Sequence, residues 1–129
     1  MRGRAVLLGA GAVALLLSGC ASASEPDVAD VARSFEDPTG DPQARCDLLA
    51  PATLTTLQAD ASAPCADAIA DVQLPGGEVS SVQVWGGQAQ VRLGDDTLFL
   101  TETSSGWKVT AAGCEPRGEA PYDCEVEGP

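Results

Sequence analysis

Residues 78–112 decide the fold, and they read EVSSVQVWGGQAQVRLGDDTLFLTETSSGWKVTAA. Polar and apolar residues alternate here in four short runs that are rich in Val, Thr, Leu and aromatic residues: 78–85, 88–93, 97–101 and 107–112. Such alternation is typical of β-strands. The short Gly, Asp and Ser stretches between the runs suit hairpin turns. The sequence therefore predicts four antiparallel strands joined in succession.

One face of this sheet is predicted to pack against helices. Because successive side chains of a strand point to opposite faces, the alternation assigns the apolar positions to a single face. These positions are Val82, Val84, Ala89, Val91, Leu93, Leu98, Leu100, Trp107, Val109 and Ala111.

Helix signals precede the sheet. Pro26, Pro42 and Pro64 each follow residues that suit a helix amino terminus, and apolar residues then recur at helical spacing. Residues 51–58 are predicted to form a further short helix or helical turn. Helices followed by a run of strands indicate an α+β domain, here three to four helices on a four-stranded antiparallel sheet.

The amino terminus has the features of a targeting segment. Arg2 and Arg4 precede an apolar run, residues 5–17, which is shorter than the roughly 20 residues that a membrane span needs. The run ends in Leu17-Ser18-Gly19-Cys20, which resembles the lipobox of bacterial lipoproteins. The resemblance implies a signal peptide over residues 1–19 and fatty acylation of Cys20, followed by a tether over residues 20–25. An ordinary cleaved secretory signal is the alternative.

The lipobox implies that the protein is anchored at the extracytoplasmic face of the cell membrane through lipid on Cys20. Without residues 1–19 the chain keeps 19 acidic and 5 basic residues, a formal charge of −14. A chain this acidic lacks the cations that nucleic acid binding requires, so nucleic acid is not an expected partner.

Four cysteines remain after Cys20, an even number that favours two disulfides in an oxidising compartment. Three pairings are open. We expect Cys46 with Cys65 and Cys114 with Cys124, because each pair falls within one structural neighbourhood. A zinc site is the competing use of cysteines, but the chain has no His and no C-x-x-C spacing. Residues 26–129 are thus predicted to form one disulfide-bonded domain without metal or cofactor.

The mature chain also resembles a known superfamily. A leading helix with Phe35 near its end, a cysteine before Leu48-Leu49 and the hairpin Ser105-Gly106-Trp107-Lys108-Val109 resemble small exported members of the NTF2-like superfamily. Residues 82–124 also resemble lipoproteins of high-GC Gram-positive bacteria. The resemblance implies that the helices pack on a strongly curved sheet and form a cone with room for a pocket. Fold does not determine function, because this superfamily includes both enzymes and binding modules.

No catalytic motif is recognisable. Enzymes of the superfamily use a pair such as Asp with His, and this chain has no His. The S-x-x-K match at Ser105 to Lys108 falls on a turn and a strand, where its two side chains point to opposite faces. Asp95-Asp96 is interpreted as a solvated turn. Glu102 shares the face of Leu98 and Leu100, which makes it a pocket candidate, although a position at the wet end of a strand is the more ordinary interpretation.

Three residues are candidates for a binding surface: Trp85, Arg117 and Tyr122. Trp85 adjoins Gly86-Gly87, where an aromatic ring is expected to be partly exposed. Arg117 and Tyr122 lie in the segment that Cys114 and Cys124 would close, and a closed loop is preorganised for binding. The sequence thus predicts a non-catalytic accessory or protein-interaction domain with an envelope protein as its partner. A small-ligand-binding protein that uses the cone interior is the first alternative, and a carboxylate-dependent enzyme is the second.

Overall fold

A computed structural model of the protein describes residues 20–129, with side chains from residue 23 onward. Over these residues the chain forms four helices and then five strands. The helices are α1 (Cys20–Glu36), α2 (Pro42–Asp47), α3 (Pro51–Ala61) and α4 (Cys65–Asp71). The strands are β1 (Val79–Trp85), β2 (Gln88–Leu93), β3 (Asp96–Thr103), β4 (Gly106–Arg117) and β5 (Ala120–Glu127). The predicted α+β class and the order of its elements are confirmed.

The amino-terminal predictions fall mostly outside this part of the chain. The predicted signal peptide, residues 1–19, lies outside the described residues, and so does the side chain of Cys20 with its predicted lipid. Among the helices of residues 20–129, none is long and apolar enough to cross a membrane.

Residues 20–25 are helical and belong to α1, so the prediction that the helix starts at Pro26 after a tether is wrong. Residues 21–25 are Ala, Ser and Glu, which tolerate helical conformation, and a helix extends readily once its packed part has formed. Pro26 therefore lies inside the helix, where its ring removes one backbone hydrogen bond. Val28, Ala32 and Phe35 lie on one side of α1 and are fully buried.

Helices α2 and α4 are clamped together by a disulfide. The side chain of Asp41 accepts a hydrogen bond from the backbone N–H of Ala44 and thereby caps α2. Cys46 of α2 is bonded to Cys65 at the start of α4, as predicted.

The sheet is an antiparallel meander in the order β1-β2-β3-β4-β5. The prediction of four strands is wrong by one, because residues 120–127 add β5 and β4 continues to Arg117. The second predicted disulfide is present and joins β4 to β5 directly, since Cys114 and Cys124 are register partners. The segment predicted to be a closed loop is therefore the end of a β-hairpin.

The core lies between the helices and one face of the sheet. Of the sheet residues predicted to point inward, seven are buried in the core, and Val82 and Val84 pack against it. Ala111 is the exception. Phe99 pairs with Ala111 and Leu100 with Val109, so Thr110 is an extra residue that forms a bulge. The bulge turns Ala111 out of the core cluster and gives its core position to Ala112.

Candidate functional site

The face of the sheet opposite the core carries Trp85 and is contacted by Tyr122, two of the three predicted binding residues. Val82 and Val84 of β1 pack against the core, so Gln83 and Trp85 point the other way. The same alternation extends to β2 and β3. We call this surface the outer face, formed by Ser81, Gln83, Trp85, Gln88, Gln90, Arg92, Thr97, Phe99 and Thr101.

Trp85 is the most exposed aromatic side chain on this face. Its side chain is 52 % exposed, and it is the only large hydrophobic residue with such exposure among the residues that the structure describes. Its position at the end of β1, opposite Gln88 and next to the Gly86 turn, leaves no element to cover the ring. Trp107, predicted to be a core residue, is 7 % exposed.

Tyr122 reaches the outer face from β5. Its ring meets the ring of Phe99 edge-on, with 5.1 Å between the centroids. The side-chain amide of Gln90 donates a hydrogen bond of 3.4 Å to the Tyr122 hydroxyl. Together with Ser81, Gln83 and Arg92, these two residues line a small polar pocket of about 170 Å³. The structure thus places Tyr122 on the same face as Trp85.

An apolar groove of about 630 Å³ adjoins the outer face and shares Phe99 and Thr101 with it. Its floor is formed by Phe99, Thr101 and the displaced Ala111, and its walls by the first turn of α3 and by residues 127–129. The hydroxyl of Thr53 and the N–H of Gly128 both donate to the carbonyl of Thr110, which fixes the two walls to the bulge. The groove depends on the bulge, which the alternation along β4 does not predict.

Two further predicted residues lie elsewhere. Arg117 is exposed at the end of β4, beside the turn to β5. Glu102 is exposed near the end of β3, opposite Trp107, as expected for the wet end of a strand. Neither lines the polar pocket or the apolar groove.

A buried pair of carboxyl groups is a feature that the sequence did not predict. Asp96 is 4 % exposed, so its interpretation as part of a solvated turn is wrong, while Asp95 beside it is exposed. Asp96 points inward and lies close to the side chain of Glu36, the last residue of α1, which is 1 % exposed. Alternation along β3 was the available signal, because Asp96 shares the face of Leu98 and Leu100.

Backbone groups from two other segments hold this pair. One oxygen of Glu36 accepts a 3.1 Å hydrogen bond from the N–H of Gly76, in the loop before β1. The two oxygens of Asp96 accept from the N–H groups of Gly113 and Cys114, each at 2.9 Å. The pair therefore joins α1, the loop before β1, β3 and β4 at one point.

Glu36 is held in its neutral form. Burial, assisted by the hydrogen bond and the negative charge of Asp96, raises the pKa of Glu36 to about 9. No N–H or O–H group of the described residues donates to its Oε1 atom. A proton on Glu36 provides the donor that the two neighbouring carboxyl groups need, and it removes the repulsion between them. Nearby, the Arg45 side chain donates to the carbonyl of Phe35 at 2.7 Å and so satisfies the end of α1.

A polar groove of about 550 Å³ lies on the solvent side of Asp96. Its rim carries the carboxylates of Asp95, Glu115, Asp123 and Glu125. Within the described part of the chain, no three such side chains are placed so that they could hold a metal ion.

No protein-family model, curated protein or solved structure matches this chain. The outer face and the buried carboxyl pair are therefore the features from which its function is inferred.

Proposed function

We propose that the protein is a lipid-anchored accessory domain that binds a partner in the cell envelope through its outer face and catalyses no reaction. The observation that carries the binding role is the exposure of Trp85 on the face that also holds the polar pocket at Tyr122. An exposed indole ring is costly to leave in water, and Trp and Tyr dominate the energetics of many binding surfaces.

The anchoring rests on the lipobox-like sequence Leu17-Ser18-Gly19-Cys20. Lipid on Cys20 would hold the domain at the extracytoplasmic face of the membrane, because more than one acyl chain gives stable attachment. The two disulfides favour the same side of the membrane, since disulfides persist in oxidising compartments.

A binding role is better supported than the alternatives. The small-ligand alternative needs space between helices and sheet, but Phe35, Ile69, Leu98 and Leu100 are fully buried there and pack together. The enzyme alternative would use the carboxyl pair, but Glu36 is 1 % and Asp96 4 % exposed, so very little of either side chain is open to a substrate. We assign the pair a structural role.

We also propose that the sheet is curved into a cone of the NTF2-like kind. The bulges at Ser80 and Thr110 support this proposal, because a bulge bends and twists its strand. An experimental structure of the domain tests it, and a flat sheet would contradict it.

The test of the proposed function is chemical crosslinking of the native protein in its own cells, followed by purification and mass spectrometry. We expect a reproducible partner that is lost with Trp85→Ala and kept with Glu102→Gln, a matched change at another exposed strand end. We also expect Cys20→Ala to release the protein from the membrane. If the Trp85→Ala protein still crosslinks to the same partner, or if the Cys20→Ala protein stays on the membrane, the proposal is contradicted.

A further inference from the structure

The outer face differs in charge from the rest of the protein. The chain has 19 acidic and 7 basic residues, yet β1 carries no charged side chain. Among the five residues of the polar pocket, Arg92 is the one that is charged. The neighbouring positions carry amides and hydroxyls, with Gln83 opposite Gln90 and Gln88 opposite Thr101. The outer face is thus a largely uncharged region on an acidic protein.

These polar groups restrict the chemistry of a ligand. A Gln side chain both donates and accepts hydrogen bonds, and so does a hydroxyl group. An anionic polymer would need several cations, and Arg92 provides one. An acyl chain would remove the amides of Gln83 and Gln88 from water without giving them hydrogen-bond partners. A ligand with many neutral hydroxyl groups satisfies amides that both donate and accept.

Trp85 adds a flat apolar surface to the same region. Its half-exposed ring lies on the strand that also carries Gln83, two residues away on the same face. A sugar ring has an apolar face made of C–H groups and an edge made of hydroxyls. It can therefore pack on the indole of Trp85 while its hydroxyls reach neighbouring amides.

We propose that the outer face binds a neutral glycan strand, with Trp85 as the stacking platform and Gln83 and Gln90 as hydrogen-bonding residues. The proposal rests on the proposed function, because it names the class of the envelope partner. The strand would run from Trp85 toward the polar pocket at Tyr122. The hydroxyl of Tyr122 already accepts a hydrogen bond from Gln90, which orients that amide at the end of the site.

The test is calorimetric titration of the detergent-solubilised mature protein with two neutral hexasaccharides, hexa-N-acetylchitohexaose and cellohexaose. We expect binding of at least one of them. Trp85→Ala should weaken that binding at least tenfold, and Trp85→Phe, which keeps an aromatic ring, should weaken it less. Gln83→Ala should weaken it about threefold or more, while Glu102→Gln should leave it unchanged.

Two results would overturn the glycan proposal. The first is that neither hexasaccharide binds, and the second is that binding is the same with Trp85→Ala. If neither hexasaccharide binds but cellular crosslinking still yields a protein partner that depends on Trp85, the proposed function stands and the partner is a protein. If binding depends on Trp85 but Cys20→Ala leaves the protein on the membrane, the anchoring is wrong and the glycan site stands.

Discussion

The ring of Tyr122 packs edge-on against the ring of Phe99, with an angle of 74° between their planes. Phe99 belongs to the central strand β3 and Tyr122 to the edge strand β5, so this contact ties the end of the β4–β5 hairpin to the outer face. The disulfide between Cys114 and Cys124 holds the same hairpin together. The position of the pocket residue Tyr122 thus depends on both links.

A double-mutant cycle measures the aromatic link. Tyr122→Leu and Phe99→Leu each remove the edge-on contact and keep an apolar side chain. We expect a coupling energy of about 0.5 to 1.5 kcal/mol from urea unfolding of the two single variants and the double variant. If the changes in unfolding free energy of the two single variants add up to that of the double variant, the two rings do not interact.

Glu36 makes the stability of the protein depend on pH. Its pKa is about 9 in the folded protein and 4.5 when the side chain is unperturbed, so the folded state holds a proton that the unfolded state releases. The resulting stabilisation is complete below pH 4.5 and is lost as the pH rises through about 9. We expect the free energy of unfolding in urea to fall from pH 5 to pH 9, by at most about 1.4 kcal/mol per pH unit for one proton.

Variants separate this effect from the titration of other groups. Glu36→Gln stays neutral and keeps a donor for Asp96, so its stability should change little over the same pH range. Glu102→Gln should follow the wild type, because Glu102 is exposed. Thr39 lowers the pKa of Asp37 by hydrogen bonding, and this shift affects stability only at acidic pH. A wild-type protein that is equally stable at pH 5 and pH 9 would show that Glu36 is not held neutral.

Asp96 is expected to be the most sensitive acidic position. Asp96→Ala leaves the N–H groups of Gly113 and Cys114 without their acceptor, and each buried unsatisfied group costs about 1 to 3 kcal/mol. The neighbouring Asp95→Ala is the matched control and should change stability by no more than about 0.5 kcal/mol, since Asp95 is exposed. Equal stability of the two variants in urea unfolding would place Asp96 in solvent.

Gly94 is predicted to tolerate no side chain. It has a φ of +56°, and a Cβ atom there would lie 2.5 Å from the carbonyl oxygen of Gly76. Gly118 has a similar φ of +63°, but no atom lies within 4 Å of where its Cβ would be. Gly118→Ala should therefore cost about 1 to 2 kcal/mol, the cost of a left-handed backbone at a residue with a side chain. Gly94→Ala should cost roughly 1 to 3 kcal/mol more, because the loop before β1 must move. Equal unfolding free energies of Gly94→Ala and Gly118→Ala would show that the turn at Gly94 does not touch the loop before β1.

Much of the fold is predictable from local patterns. Pro42 and Pro64 identify the starts of α2 and α4, and alternation identifies the first four strands and most of their core positions. Strand β5 is not predictable in this way, because its sequence, APYDCEVE, contains a Pro and three acidic residues. Its pairing with β4 and the disulfide hold it in the sheet, and a local pattern does not contain that information.

The candidate site was predictable only in part. The sequence indicates Trp85 and Tyr122 as candidate binding residues, but their common face follows from the contact between Tyr122 of β5 and Phe99 of β3, which no local pattern contains. The bulge at Thr110 changes the face of Ala111 through pairing with β3, which no single strand reveals. The carboxyl pair joins residues that are 60 positions apart in the sequence, so neither partner alone indicates it.

Tryptophan fluorescence tests directly the claim that the outer face is the binding surface. The chain has two Trp residues, so the variant Trp107→Phe reports on Trp85 alone. Its emission should be that of a half-exposed indole and should be quenched readily by acrylamide. When envelope material from the native cells is added, we expect the emission to shift to shorter wavelength and the quenching to fall, because the ring becomes covered. Unchanged emission and quenching under conditions in which the protein is bound would contradict the claim and place the binding surface elsewhere.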